Sequence, residues 1–432
     1  MPSGTANPKM QGDDHEPVLA MRAPTRHRDN PLTRSKPGMV GFAVLALMFI
    51  ACLGTLPWTL RPVDGVPRYD AGAPIEGRLP PSWVPFNDRD VERANNAVDR
   101  EALAQVAVDN GVSIDDLLAA RSGDPELDLI KPLWPSYAFG SDLLGRSLGI
   151  RLLAGGGISL AIGIAAALLS VSIGTIYGAL AAYIGGKVDS FMMRVVDVLY
   201  GLPYILLVVL LAVASNALVD EWVTQSRAKE SWMRAQVIAQ AEQNGETLSK
   251  LEAVDVLASD QELRDGLLAQ ANTIYPARDL SVGKRTALDV LTLLIAIGGV
   301  SWLTMARVIR GQVLSLKNQP FVEAARAVGS SPVRIFVRHL LPNLVGPIVV
   351  YATLTVPQAI LQESFLSFLG IGVKPPLPSW GNLAAEGLGE INTYHSHWWL
   401  LLFPCLLLGI TLLSMNFVGE GLREAFDPKR SR

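Results

Sequence analysis

Six stretches of this 432-residue chain are long and apolar enough to cross a lipid bilayer as helices. A membrane helix needs about 20 predominantly apolar residues, and soluble cores seldom contain uninterrupted runs of about 18 or more. We therefore predict an all-α, polytopic membrane protein with six transmembrane helices. They are expected at residues 39–60, 158–184, 198–214, 288–309, 344–370 and 398–418.

The rest of the composition argues against several other classes of protein. The net charge of −3 gives no basic surface for nucleic acid. The only cysteines, Cys52 and Cys405, lie inside apolar runs, which argues against a disulfide framework or a zinc site. His395 and His397 have no nearby cysteine or carboxylate cluster, so we predict no metal. No GxxxxGK[ST] phosphate loop is present, and we predict no catalytic residue and no cofactor.

Lysines and arginines near the span ends indicate the orientation, because cytoplasmic loops carry an excess of them. The segment 307–343 holds six basic residues and one acid. Basic residues also precede the first span, join the second to the third, and end the chain. These segments fall on one side of a six-span topology. We expect both termini on that cytoplasmic side, and the net acidic segments 61–150 and 215–287 outside.

These observations divide the chain into seven parts. The two outer segments show leucine, alanine and valine at helical spacing, so we expect them to be helical. Either they form a solvated cap, or they add a docking surface for another protein. The predicted parts are a cytoplasmic tail (1–38), the first membrane helix (39–60), an extracytoplasmic helical segment (61–150), membrane helices two and three (151–214), an extracytoplasmic helical insertion (215–287), membrane helices four to six (288–420) with a cytoplasmic loop (310–343), and a cytoplasmic C-terminal tail (421–432).

The segment FVEAARAVGSSPVRIFVRHLLPN, residues 321–343, is charged and lies between two apolar runs. Gly329 suits the left-handed residue that ends a helix, and Ser331 with Pro332 suits the start of the next one. Pro342 is expected to end that second helix before the fifth span. We predict two short helices joined at a sharp corner.

Helical spacing also predicts the faces of the first short helix. Phe321, Ala325 and Val328 are expected on one face, with Glu323 and Arg326 on another. From composition alone, the segment is equally consistent with a solvated loop that lies on the lipid headgroups.

The spacing within this segment resembles a specific motif. Glu323-Ala324-Ala325, then Gly329, then His339-Leu340-Leu341-Pro342 is similar to the EAA loop of ABC importer permeases. In that family the first short helix docks in a groove of an ATPase subunit and transmits motion. The resemblance therefore implies a set of ATPase-coupling residues: Glu323, Ala324, Ala325, Arg326, Gly329, Ser331 and Pro332.

Three further segments narrow the resemblance to the dipeptide, oligopeptide and nickel permeases. They are FGSDLLGR at 139–146, GGKVD with a following MR and D at 185–197, and LSFLG with PSWG between 366 and 381. Ser141 stands where these permeases usually have threonine, and Ser147 where they have aspartate. The chain resembles their C-type subunit except over residues 61–130 and 215–287, where the family usually has much shorter loops.

This resemblance implies a fold, a location and a set of partners. The fold would be that of type I ABC importer permeases, in a bacterial inner membrane and in contact with its lipid. A second permease would complete a heterodimer, two ATPase subunits would hydrolyse ATP, and an extracytoplasmic solute-binding protein would deliver the solute. The solute would be a peptide, while nickel complexes and other small solutes remain open. Nucleic acid would not be a partner.

Four polar residues within or beside the spans need a separate explanation. An ionisable residue at membrane depth usually faces a cavity or a partner. Glu363, with Gln362 beside it, could therefore bind the solute, contact the second permease, or simply be solvated if the span has already ended. Arg194 and Asp197 are one turn apart, and we predict a local ion pair between them.

Two other functions remain as alternatives. An ion-coupled secondary transporter would usually carry inverted repeats and discontinuous helices, and no convincing repeat is visible. A membrane scaffold or sensor could be built around the outer helical segments. Neither alternative gives the segment 321–343 a role.

Overall fold

A computed structural model describes residues 36–63, 65–243, 248–275, 282–391 and 396–426. Nearly all of the predicted N-terminal tail, and half of the C-terminal one, lie outside these ranges. The all-α prediction is confirmed, because the described residues form helices apart from one hairpin of two two-residue strands and three isolated bridges. The hairpin pairs β1 (Pro62–Val63) with β2 (Val66–Pro67) in antiparallel register.

Five helices of the described ranges are long and apolar enough to span a membrane. A sixth span exists if the helix Gly186–Tyr200 and the first turns of the next helix, which begins at Tyr204, count as one span; these two helices meet at 88°. The chain bends at Gly201–Pro203, where proline cannot continue the ladder of the preceding helix. The helices are α1 (Lys36–Thr59), α6 (Leu148–Ile184), α7 (Gly186–Tyr200), α8 (Tyr204–Gln243), α11 (Val282–Leu316), α14 (Leu341–Phe368) and α16 (Trp399–Phe426).

Helix α6 lies at the centre of the bundle and packs against α1, α11 and α14. Glycines on α6 make this close packing possible. A Cβ on Gly163 would lie 2.1 Å from Cγ1 of Ile360 on α14, and a Cβ on Gly178 would lie 2.2 Å from the carbonyl oxygen of Ala306 on α11. The positions of α11 and α14 therefore depend on the small residues of α6.

Short helices form a separate unit between α1 and α6. They are α2 (Asp88–Asn96), α3 (Arg100–Asn110), α4 (Ile114–Ala119) and α5 (Pro125–Ile130), with 3₁₀ turns at Pro74–Glu76 and Lys131–Leu133. Side chains from α3, α4 and α5 form a small core of their own around Leu103, Leu117 and Ile130, each of which is fully buried.

A second unit follows the bent span. Helix α8 continues for 40 residues, about 60 Å at 1.5 Å per residue, and packs against α9 (Lys250–Ser259) and α10 (Gln261–Ile274). Met233, Val237 and Leu267 belong to the core that these three helices share. The same helix runs through residue 214, where the apolar part of the bent span ends.

The remaining helices lie at the two ends of the bundle. Helices α12 (Pro320–Ala327) and α13 (Pro332–Ile335) follow α11 at what we call the loop end, defined by residues 310–343. Helix α15 (Trp380–Gly389) lies at the opposite cap end, with α2–α5. Because α11 runs from α10 toward α12, the unit of α8–α10 also projects at the cap end.

Candidate functional site

One face of α12 packs into the bundle at the loop end. Val322 is fully buried and Ala325 is 9% exposed, and both belong to a cluster of buried side chains from α6, α11 and α14. The predicted stripe is only partly correct, because Phe321 is 39% exposed and Val328 is 86% exposed. The buried face pairs Val322, and not Phe321 or Val328, with Ala325, which rotates the inward face by about 60°.

The opposite face of α12 is open to the surroundings. Glu323, Ala324 and Arg326 are exposed, so the outer face combines one acid, one base and a small residue. Ala325, which we predicted among the ATPase-coupling residues, instead faces the bundle. Its small side chain holds α12 close to the spans. The other six predicted coupling residues are exposed.

The corner between α12 and α13 has the geometry expected for a glycine. Gly329 has φ +78°, and its N–H donates to the carbonyl of Arg326 at 2.9 Å. The N–H of Ser330 donates to the carbonyl of Ala325 at 3.0 Å, which completes a Schellman motif. Apart from its chain neighbours, no atom of the described residues lies within 4 Å of where a Cβ on Gly329 would be placed, so the corner is open on its outer side.

Helix α13 begins as predicted but does not end as predicted. The hydroxyl of Ser331 accepts from the N–H of Arg334 at 3.4 Å, and Pro332 occupies the first turn. Pro342 does not end the helix, because a π-helical segment, Phe336–Leu340, joins α13 to α14. The wider π turn accommodates a proline that lacks an N–H to donate. The corner therefore leads directly into a membrane helix.

Two ion pairs tie α11 to the bent span at the loop end. The guanidinium of Arg310 donates to both carboxylate oxygens of Asp189, at 2.6 and 2.8 Å. Asp197 pairs with Arg307 at 2.8 Å. The predicted pair between Arg194 and Asp197 is wrong, because Arg307 on the neighbouring helix occupies the carboxylate. The sequence motif included Asp189 but gave no indication of its partner, 121 residues away.

Glu363 lies inside the chain rather than at a surface. Its side chain is fully buried, and Ser367 and Ser364 donate hydrogen bonds to its two oxygens at 2.7 and 3.3 Å. The structure excludes the solvated alternative, and in this conformation the side chain reaches neither a solute nor a second subunit. Gln362 is half-buried, and its side-chain oxygen lies 3.5 Å from the hydroxyl of Ser301.

Charged residues at the cap end, buried or nearly so except for Glu386, join α6, α15 and the FGSDLLGR segment. Arg151, which is 1% exposed, donates to Asp142 at 2.7 Å and to Glu386 at 2.6 and 3.0 Å. Arg146 adds a second bond to Asp142 at 2.6 Å, and these four residues border a cavity of about 260 Å³. Ser141, in place of the usual threonine, is buried and accepts from the N–H of Leu79 at 2.8 Å. We did not predict this network, although the motif contains three of its members.

A second charged group links the cap to the segment before α16. Arg78 donates to both oxygens of Glu390, at 2.8 and 3.1 Å, and this holds the pKa of Glu390 below its ordinary value. His397 lies 3.1 Å from Glu390 and 3.4 Å from Arg93. Burial, together with Arg93, lowers the pKa of His397. Within the described ranges no group of three or more histidines, cysteines or acids could hold a metal ion. His395 lies outside those ranges.

Comparison with known proteins identifies the family. A family model described as the binding-protein-dependent transport system inner membrane component matches residues 174–432. The chain belongs to this family. It is a multi-pass inner-membrane protein and a permease component of an ABC importer. Its relatives in the comparison are permease proteins rather than ATPases.

Three relatives illustrate the similarity. The oligopeptide transport system permease protein OppC of Haemophilus influenzae is 37% identical over 293 residues, which cover 68% of this chain and 70% of that protein. The dipeptide transport system permease protein DppC of Bacillus subtilis is 37% identical over 294 residues, covering 68% and 69%. OppC of Escherichia coli K12 is 40% identical over 293 residues, covering 68% and 72%.

Proposed function

We propose that this permease subunit moves peptides inward and is driven through α12 and α13 by separate ATPase subunits. The observation that carries the proposal is the two-sided character of α12. Val322 and Ala325 attach it to α6, α11 and α14, while Glu323, Ala324 and Arg326 remain exposed. Such an element can receive a force from outside and pass it to the spans.

The exposed face suits a helix-in-groove contact with a partner protein. Gly329 adds no side chain at the corner, and Ala324 adds only a methyl group, so a partner's surface can approach the backbone closely. The corner continues without a break into α14. A displacement of α12 by closing ATPases would therefore tilt a membrane helix, as alternating access requires.

ATP hydrolysis is assigned to the partner subunits. The chain has no GxxxxGK[ST] sequence to hold phosphates, and its relatives are named as permease proteins. The excess of basic residues around 307–343 supports a cytoplasmic loop end, where ATP is available. The acidic segments and both termini then follow from the number of spans: the segments are extracytoplasmic, and the termini are cytoplasmic.

The other partners follow from the family and its members. A binding protein, which the family description includes, would deliver the solute at the cap end. A second permease would complete the pathway as a heterodimer, and two ATPases would bind at the loop end. The names of the relatives support a dipeptide or oligopeptide as the solute. A secondary transporter and a scaffold both leave the two-sided α12 without a purpose.

A copurification experiment tests this proposal. The tagged chain is extracted gently from membranes of its own host, and the proteins that accompany it are identified by mass spectrometry. We expect a second permease and ATPases with Walker motifs, and we expect the ATPases alone to be lost from a Glu323→Arg variant. A matched control, Glu262→Arg on the exposed face of α10, should retain them. Recovery of the chain alone, under conditions that preserve other membrane complexes, would refute the proposal.

A further inference from the structure

The buried carboxylate of Glu363 lies among four serines. Besides Ser364 and Ser367 on its own helix, the side chains of Ser159 on α6 and Ser379 before α15 interact with it. Ser364 and Ser367 donate to its two oxygens. Ser159 and Ser379 lie beside the same carboxyl group.

Three of these serines also accept a backbone N–H from the segment that leads into α15. Ser367 accepts from Val373 at 3.0 Å. Ser159 accepts from Trp380 at 3.2 Å, and Ser379 accepts from Asn382 at 3.3 Å. A hydroxyl that accepts an N–H can still donate its own hydrogen, so each of the three can bond the segment and the carboxylate together. The carboxyl group fixes the direction in which the hydroxyls of Ser364 and Ser367 point.

Close backbone packing surrounds this group of residues, which we call the Glu363 hub (Ser159, Glu363, Ser364, Ser367 and Ser379). A Cβ on Gly381 would lie 2.0 Å from the carbonyl oxygen of Ser364, and a Cβ on Gly156 would lie 2.5 Å from the Trp380 ring. Trp380 is fully buried, and its indole N–H donates to the carbonyl of Leu152 at 3.1 Å. At this point α6, α14 and α15 are joined by directional bonds as well as by packing.

The same helices meet α12 at the other end of the bundle. Val322 and Ala325 of α12 share a buried cluster with Ala182 of α6 and Leu344 of α14. Leu344 and Glu363 are 19 residues apart on one helix, or about 28 Å at 1.5 Å per residue. Two helices that are pushed at one end and joined at the other tilt together instead of spreading apart.

We propose that Glu363 is a positioning residue that joins α6, α14 and α15 into one rigid body, so that movement of α12 at the loop end becomes movement of these helices at the cap end. The inference rests on the proposed function of α12. It replaces the earlier expectation of a direct contact between Glu363 and the solute or the second subunit. Its consequence is specific: weakening the hub should separate ATP hydrolysis from transport.

Three variants separate the hub from simple stability. Glu363→Gln keeps the size of the side chain, but its amide NH₂ cannot accept, so the hydroxyls that pointed there lose their acceptor. Ser367→Ala removes the 2.7 Å bond and the acceptor of Val373, whereas Ser364→Ala removes only a 3.3 Å bond. Ser364→Ala is therefore the matched control. We expect the largest effect from Glu363→Gln, then Ser367→Ala, with Ser364→Ala close to the unaltered protein.

The first measurement is hydrogen exchange of the complete transporter in lipid nanodiscs. In Glu363→Gln the backbone bonds of Val373, Trp380 and Asn382 keep their serine acceptors, so any loss of protection reports the carboxylate. We expect these amides to exchange roughly twofold to tenfold faster, the equivalent of one ordinary hydrogen bond. Unchanged exchange in this variant would overturn the inference.

The second measurement is the number of solute molecules transported per ATP hydrolysed in proteoliposomes. We expect ATP hydrolysis to persist in Glu363→Gln and Ser367→Ala while this ratio falls at least severalfold. An unchanged ratio, or a parallel loss of both activities, would overturn the inference and leave the proposed function intact. If the unaltered complex itself showed no ATP-driven uptake, the proposed function would fail instead. If Glu363→Gln does not assemble, the ratio in Ser367→Ala is compared with that in Ser364→Ala. A lower ratio in Ser367→Ala supports the inference, and equal ratios overturn it.

Discussion

Substitution of Gly329 tests whether the corner between α12 and α13 contacts another protein. We compare Gly329→Asp with Gly329→Asn, which has nearly the same shape and no charge. Both residues tolerate the left-handed conformation better than other side chains do, and both enter a position with φ +78°. Apart from its chain neighbours, no atom of the described residues lies within 4 Å of the added Cβ. Any difference between the two variants therefore comes from outside the chain.

The expected magnitudes separate folding from docking. Loss of the glycine costs about 1–2 kcal/mol in either variant, a small part of the about 5–15 kcal/mol that stabilises a typical domain. A carboxylate buried without a partner at an interface costs about 2–5 kcal/mol, and 1.4 kcal/mol corresponds to tenfold in affinity. Gly329→Asp should therefore bind the ATPases about 25-fold or more weakly than Gly329→Asn does.

The assay measures the affinity of purified ATPase subunits for the permease complex in nanodiscs, with uptake in proteoliposomes as a second readout. Thermal unfolding in detergent serves as the control for folding and should agree between the two variants. If the aspartate and asparagine variants bound ATPases equally well, the corner would lie outside the contact. The reasoning from its open geometry would then be refuted.

Three further predictions concern the cap end. Deleting residues 225–275 should leave membrane insertion and ATPase binding intact, because α9 and α10 pack on the part of α8 beyond the membrane. Membrane fractionation tests insertion, and copurification tests ATPase binding. Burial lowers the pKa of His397. The stability that its neutral form contributes is therefore complete above its unfolded pKa near 6.5 and is lost as the pH falls. Between about pH 7.5 and pH 5 the melting temperature should fall more steeply in the unaltered protein than in His397→Gln. Arg151→Met should lower the free energy of unfolding by less than the about 3–5 kcal/mol that breaking an isolated buried ion pair costs, because Arg146 still bonds Asp142. Arg151→Lys should restore only part of that free energy, as thermal unfolding can measure.

Hydropathy predicted the spans because lipid requires a minimum apolar length, and five of the six fall on single long helices, with no more than two residues outside. It could not predict where those helices end. Helix α8 continues past residue 214 because the following residues include good helix formers such as alanine, glutamate and glutamine. A helix that leaves the membrane has no physical reason to stop there.

The polar contacts show what a local pattern can and cannot predict. Ser364 and Ser367 follow Glu363 at one and four residues, so part of its environment was visible in the sequence. Ser159 lies more than 200 residues away and enters the hub only because α6 and α14 pack together. The partner of Asp197 was likewise invisible in the local sequence, because Arg307 on a neighbouring helix forms the ion pair instead of Arg194.

The two ends of the bundle hold α6 by different kinds of contact, and this difference predicts where the transporter moves. At the loop end α12 meets the spans through an apolar cluster, and apolar contact is not directional, so α12 can rock without losing specific bonds. At the Glu363 hub the contacts are hydrogen bonds, which weaken steeply when their angles change. A cross-link between α15 and α6 should therefore leave uptake in proteoliposomes nearly unchanged, because the two helices already move together. Loss of uptake in the cross-linked protein would instead place a moving joint at the cap end.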